Sequence, residues 1–211
     1  METSAQLGKF IVLDGIEGCG KGTQTKLLSD FLIKKGYNVI TQKHPEYGKP
    51  IGDLIDAWLH KKYEFNVETQ AMLYFADFIK DKQLLENDIK NGKIIVSDRY
   101  FSATIVYQHI NGLSIEKLLK LAELFELRKP DLCIYIRIST ETSFKRKLEQ
   151  KGIKLMDRHE ADKKFLSALY ENYEKMAKEN IFCDWAIVDG EQPIENVSKQ
   201  ITEILSQKLN I

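Results

Sequence analysis

The chain has 211 residues, enough for one domain around a single core with helical excursions at most. Hydrophobic residues make up 43% and charged residues 29%, proportions that fit a folded globular protein and exclude a disordered one. Lys plus Arg and Asp plus Glu number 31 each, so a formal net charge of zero excludes a general attraction to nucleic acid or anionic membranes. In chain order, Phe10–Leu13 is a short apolar run that predicts a first strand. A glycine-rich turn and an amphipathic stretch from Lys21 to Lys35 follow, stopped by Gly36. Tyr37–Thr41 predicts a second strand, Ile51–Lys61 a helix, and Val67–Asn91 one long helix closed by Asn91-Gly92. Ile94–Val96 predicts a third strand ending at Ser97-Asp98, followed by helices over Ser102–Ile110 and Ser114–Arg128. Leu132–Ile138 predicts a fourth strand, and Thr140 can cap a helix to about Gln150. A basic segment leads into a helix ending near Glu179, Trp185–Val188 predicts a fifth strand, and a last helix starts after Pro193. Short strands apolar on both faces and alternating with helices predict an α/β domain with a parallel sheet covered on both sides.

No apolar run reaches bilayer length, and Met1–Lys9 lacks the apolar stretch of a secretory signal, so no membrane association and a cytoplasmic location are expected. Cys19, Cys133 and Cys183 are widely spaced without a Cys-x-x-Cys pair. They read as reduced thiols, neither a zinc site nor a disulfide frame.

The strongest chemical signal lies between the first strand and the first helix. Gly15-Ile16-Glu17-Gly18-Cys19-Gly20-Lys21-Gly22-Thr23 fits the phosphate-binding pattern Gly-x4-Gly-Lys, with Gly22 where Ser or Thr is usual. Glycines let backbone N–H groups curl around phosphate oxygens, and the helix N-terminus adds its positive end. Lys21 places a charge on the group being transferred. Thr23 offers its hydroxyl one position late, so a metal ion is expected through Thr23 or through water. Cys19 reads as filling the small-residue slot of the loop. A second constellation, Ser97-Asp98-Arg99-Tyr100, closes the third strand, with Thr104, Tyr107 and Gln108 along the next helix. Ligands collect at the carboxyl ends of parallel strands, so Asp98 should face the phosphate loop and hold Mg2+ through water. The planar fork of Arg99 suits an anion. Arg146, Lys147, Lys151, Lys154 and Arg158 crowd around Gly152, as a closing basic flap would need.

In order and spacing, several motifs resemble thymidylate kinases from about Lys9 to the end of the chain. They are Asp14–Gly18, Lys43-His44-Pro45, Leu73–Asp77, Asp98-Arg99-Tyr100 with Tyr107-Gln108, Pro130–Leu132, Asp157-Arg158-x-Glu160 and Val188–Gly190. The resemblance implies a five-stranded parallel sheet in the P-loop nucleoside monophosphate kinase arrangement, a single domain over 1–211, and a mobile lid at about 146–158. It implies transfer of the γ-phosphoryl group of ATP to dTMP for dTTP synthesis, with Mg2+, in a homodimer. By the same resemblance Glu17 contacts the deoxyribose, Arg99 holds the acceptor phosphate, Tyr74 stacks on the base and Tyr107 disfavours ribose. Arg146 and Arg158 match the lid arginines that act when a glycine, here Gly18, follows the loop carboxylate.

Three positions depart from the family pattern. Phe78 stands where an arginine donates to the thymine carbonyl, Lys43 replaces an arginine at the acceptor phosphate, and Ala103 stands where serine is common. A base-bonding site discriminates by about 10⁴ and an apolar one by tens to hundreds, so looser base selection is expected, with Gln108 or water meeting the carbonyl. Kinases of dUMP, dCMP or a purine monophosphate are therefore alternatives. A nucleotide-binding regulator without catalysis rests only on Gly22. A nucleoside kinase would need a base for a sugar hydroxyl, where Arg99 and Lys43 suggest a phosphate acceptor instead.

Overall fold

The computed structural model describes residues 8–152, 159 and 162–211. Five strands are found among them: β1 Lys9–Asp14, β2 Val39–Lys43, β3 Ile94–Asp98, β4 Leu132–Arg137 and β5 Trp185–Asp189. All neighbours are parallel, in the order β2-β3-β1-β4-β5. Phe10 to Leu13 are fully buried because β1 is paired on both edges and covered on both faces. The chain moves from β1 to β3 on one side and to β4 on the other, so the strand order reverses at the carboxyl end of β1, the position that opens a crevice for ligands.

The helices are α1 Lys21–Lys34, α2 Pro50–Leu59, α3 Val67–Ile79, α4 Lys82–Lys90, α5 Phe101–Ile110, α6 Ile115–Leu124, α7 Thr140–Lys151, α8 Lys163–Lys178 and α9 Ile194–Leu209. Trp58, Ile55 and Leu59 of α2 form a small apolar cluster with Tyr74 and Leu73 of α3, apart from the main core. Among the described residues no helix is long and apolar enough to cross a membrane.

Four elements differ from expectation. The long helix over Val67–Asn91 is two helices, α3 and α4. Lys80 turns back on the Asp77 carbonyl at 2.7 Å, and the Asp81 N–H reaches only the Phe78 carbonyl, three residues back. β2 runs two residues later than expected because its pairing with β3 extends to Lys43 opposite Asp98, which carries Lys43 to the ligand edge. α6 stops at Leu124, not Arg128: Glu126 is left-handed at φ 49°, and the buried Leu127 donates back to the Ala122 carbonyl. Ser139, not Thr140, caps α7, its Oγ accepting from the Thr142 N–H at 3.1 Å.

Candidate active site

The loop after β1 curls over the start of α1. Gly20, at the helix N-cap, is left-handed at φ 97°, a conformation that favours glycine. Gly18 is constrained by space as well: a Cβ there would lie 3.1 Å from the Ser143 carbonyl oxygen and 3.5 Å from Arg146 Cβ. A residue without a side chain at 18 thus lets α7 close on the loop, and Arg146 donates to the Gly18 and Gly190 carbonyls at 3.2 Å each. Lys21 is only 6% exposed, and its ammonium donates to the Gly15 and Ile16 carbonyls at 3.0 Å each. The loop positions its own lysine. Cys19 is buried with its Sγ 3.6 Å from Lys21 Nζ, and burial pushes its thiol pKa up against the opposing Lys21 charge.

Arg99 sits where β3 meets α5. Its backbone is left-handed at φ 71°, its N–H donates to the Leu13 carbonyl at 3.0 Å, and Ser97 Oγ holds its carbonyl at 2.6 Å. These bonds aim the guanidinium across the end of β1. There it pairs with Glu17, reaches Tyr107 Oη at 3.2 Å and Tyr173 Oη at 3.4 Å, and lies 3.7 Å from Asp14 Oδ1. Asp14 is fully buried, accepting from Tyr173 Oη and Ser102 Oγ at 2.7 Å each and from the Gly15 N–H at 2.9 Å. Burial pushes the Asp14 carboxyl up, opposed by the Arg99 charge and the Tyr173 and Ser102 hydroxyls. Burial also opposes ionisation of Glu17, but Arg99, Lys21 and Lys147 together hold its carboxyl well below the usual range. Arg99 is therefore a fixed cation fitted to exchange a carboxylate for another anion.

Asp98 is buried at the end of β3 beside Lys43, and its Oδ2 would lie 3.6 Å from a Cβ at position 22. A Cβ at 22 would thus touch this carboxylate at ordinary contact distance, and Thr23 is exposed one residue on. Among the described residues no three His, Cys, Asp or Glu side chains group as a metal cage. One carboxylate beside a phosphate loop is the donor set Mg2+ uses when phosphates and water complete its shell. The donors fit the ion.

Two cavities meet at Glu17, Arg99 and the His44, Pro45 and Tyr47 stretch after β2, all of which line both. The larger is lined by the phosphate loop with Lys43, Asp98, Arg146 and Lys147. The smaller is mostly apolar: Tyr74 and Phe78 come from α3, and Ala103, Thr104 and Tyr107 from α5. The guanidinium of Arg99 also lies over the Tyr107 ring, 5.3 Å from its centroid. A phosphate at the junction would place a planar apolar body in the second cavity and face a polyphosphate in the first.

The thymidylate kinase family model matches residues 13–201 of this chain. The chain belongs to the thymidylate kinase family. It is 34% identical to a thymidylate kinase of Thermoanaerobacter sp. (strain X514), over 96% of this chain and 99% of that protein. It is 33% identical to a thymidylate kinase of Caldicellulosiruptor saccharolyticus and 32% identical to a probable thymidylate kinase of Thermococcus gammatolerans, each over 96% of this chain and 98% of the relative.

Within that family, the structure brings Lys21, Asp98, Arg99, Arg146 and the loop residues Glu17–Thr23 around the larger cavity, and Glu17, Tyr74, Phe78, Thr104 and Tyr107 around the smaller one; Gly15 and the fully buried Ile16 line neither and instead hold Lys21 through their carbonyls. Lys43 lines the phosphate cavity and not the acceptor cavity. Gln108 is a correction. It lies one turn beyond Thr104, is 1% exposed and does not line the acceptor cavity; its Oε1 is buried without a partner among the described residues. Arg158, with Lys154, Asp157 and Glu160, lies outside the described residues, so of the expected lid only Arg146 to Gly152 is seen.

Sequence reasoning missed Tyr173, Ser102 and the role of Asp14, which reaches Arg99 only through contacts far apart in the chain. It also missed His44, whose Nδ1 lies 2.8 Å from Asp77 Oδ2. Asp77 is fully buried, holding Lys80 at 3.0 Å and the Glu46 N–H at 3.1 Å. Burial opposes its charge, but the hydrogen bonds and charges of His44 and Lys80 outweigh that and hold its carboxyl below the ordinary range. The folded pKa is thus below the unfolded one. Its contribution to stability is full above about pH 4, the unfolded value, and is lost as pH falls through the folded value. Asp77→Asn should flatten the decline of unfolding free energy in that acid window, read by urea titration at several pH values. A slope equal to the parent's would remove Asp77 from the linkage.

Proposed function

We propose that this chain transfers the γ-phosphoryl group of ATP to dTMP, giving dTDP and ADP. The observation that carries the reading is Arg99, a fixed cation lining both the phosphate-loop cavity and a mostly apolar, aromatic-walled cavity. The names of the relatives support the same acceptor.

In this reading the loop amides and Lys21 hold the donor phosphates, Lys21 exchanging the Gly15 and Ile16 carbonyls for phosphate oxygens. Arg99 exchanges Glu17 for the acceptor phosphate, and the released carboxylate turns to the deoxyribose. Asp14 and Tyr173 keep the guanidinium in place during that exchange. Tyr74 and Phe78 flank the base, Thr104 offers it a hydroxyl, Tyr107 crowds the 2′ position and Lys43 supports the phosphates. Arg146, already docked on the loop, and Arg158 supply charge to the transferred group as the lid excludes water. Mg2+, held through Asp98 and Thr23 by way of water, would neutralise phosphate charge. A homodimer in the cytoplasm completes the proposal, on the resemblance alone.

An ADP-release assay across dTMP, dUMP, dCMP, dGMP and UMP tests the acceptor. The expected result is the highest kcat/KM for dTMP, with dUMP next and UMP well below both. Leadership by dGMP or UMP would overturn dTMP as substrate and leave a kinase of another monophosphate, while leadership by dUMP or dCMP would favour the reading that Phe78 has relaxed base choice.

A further inference from the structure

A pyrimidine entering the apolar cavity loses water from its carbonyl and ring N–H edge, and each unmet group costs binding. Phe78 forms part of the wall, 5% exposed, and can donate nothing. Beside it, edge-on at 4.8 Å between ring centroids, stands His44, 7% exposed and lining the same cavity. The histidine is held by a dedicated buried arrangement: Nδ1 meets Asp77, and Asp77 is locked by Lys80 and the Glu46 N–H. Lys80 is held in turn by Glu46 at 3.0 Å and Asp81 at 2.8 Å. Their common effect is to fix one imidazole in the wall where the base cavity adjoins the phosphate-loop cavity. An ionised Asp77 only accepts, so Nδ1 carries the proton between them and Nε2 is the nitrogen left to meet a ligand.

We infer that His44, held at Nδ1 by Asp77, meets the N3–C4 edge of the pyrimidine through Nε2 and is the residue that sets base choice in this chain. The inference rests on the dTMP reading above and deepens it. No proton is transferred. It also explains how Phe78 is tolerated, since the polar contact to the base comes from the loop after β2 instead of from α3. Thymine presents N3–H and a carbonyl along this edge where cytosine presents a bare N3 and an amine, so one fixed nitrogen pairs with one base and mismatches the other.

The test compares kcat/KM for dTMP and 5-methyl-dCMP, which differ only at C4 and N3, in the full-length protein. The parent should prefer dTMP. His44→Phe keeps a ring against Phe78 but cannot hydrogen-bond; it should shrink that preference by about tenfold or more. The loss should appear as a raised KM for dTMP, with the KM for ATP unchanged. His44→Leu gives the same readout should His44→Phe not fold, and His44→Gln, with a polar amide, should recover part of the preference. Phe78→Arg should restore it in the His44→Phe background. In the parent it should not sharpen it, because the base edge is already met. An unchanged preference in His44→Phe or His44→Leu, equal losses for both pyrimidines, or a parent that favours 5-methyl-dCMP would overturn the inference and leave the kinase reading standing. Turnover of neither pyrimidine, with a purine monophosphate accepted instead, would overturn both.

Discussion

Lys21→Ala is expected to lower kcat by about 10²–10³-fold, the usual effect of deleting one positioned donor to a developing charge. The effect on folding should be modest but measurable. Lys21 is buried to 6% exposure, and its removal leaves the Gly15 and Ile16 carbonyls unpaired, so a loss of about 1–3 kcal/mol in stability accompanies the substitution. Lys21→Met retains the stem and separates the two effects, because packing around the loop is kept while the charge is gone. Single-turnover kinetics with saturating ATP and dTMP, beside thermal melts, read both quantities. A Met variant with near-parental turnover would remove Lys21 from the chemistry.

Arg99→Ala should have the second large effect, and its signature is unequal. A hydrogen bond to a charged group contributes about 1.5–3 kcal/mol, so dTMP affinity should fall roughly 10- to 150-fold while ATP affinity stays nearly unchanged. Stability should also fall, because Arg99 neutralises Glu17 and stands 3.7 Å from the fully buried Asp14. Removing one partner of a buried charge pair typically costs about 3–5 kcal/mol. Arg99→Lys restores a charge without the planar fork, so it should recover stability more fully than dTMP affinity. Calorimetric titration of each nucleotide into each variant decides the matter. Equal losses for dTMP and ATP would place Arg99 in the scaffold and not on the acceptor.

The sheet and the phosphate loop were legible because their signals are contiguous. Phe10–Leu13 is apolar on both faces because β1 is central, and Gly15–Thr23 carries its chemistry in nine consecutive residues. The break between Ile79 and Lys82 was not legible, since no glycine or proline marks it. It is made by the Lys80 side chain meeting Asp77, Glu46 and Asp81, which periodicity cannot register. The Arg99 hub was half legible. Asp98-Arg99 could be read at the end of β3, but the bond from Tyr173 to Asp14 joins residues 159 apart. Gln108 shows the opposite failure: its place after Tyr107 suggested the base cavity, and one further turn of α5 carried it into the interior. His44 carried a signal in the Lys43-His44-Pro45 motif, yet its use depends on Asp77 from α3, which only the fold brings alongside.

Phosphorus NMR of the purified protein with ATP, dTMP and Mg2+ tests the central claim most directly, because it identifies the acceptor of the phosphoryl group. The account predicts dTDP and ADP appearing together in equal amounts, at a rate that collapses in Lys21→Met. ADP with inorganic phosphate in place of dTDP would show that water is the acceptor, and an unchanged spectrum would show no transfer. Either result would contradict the assignment.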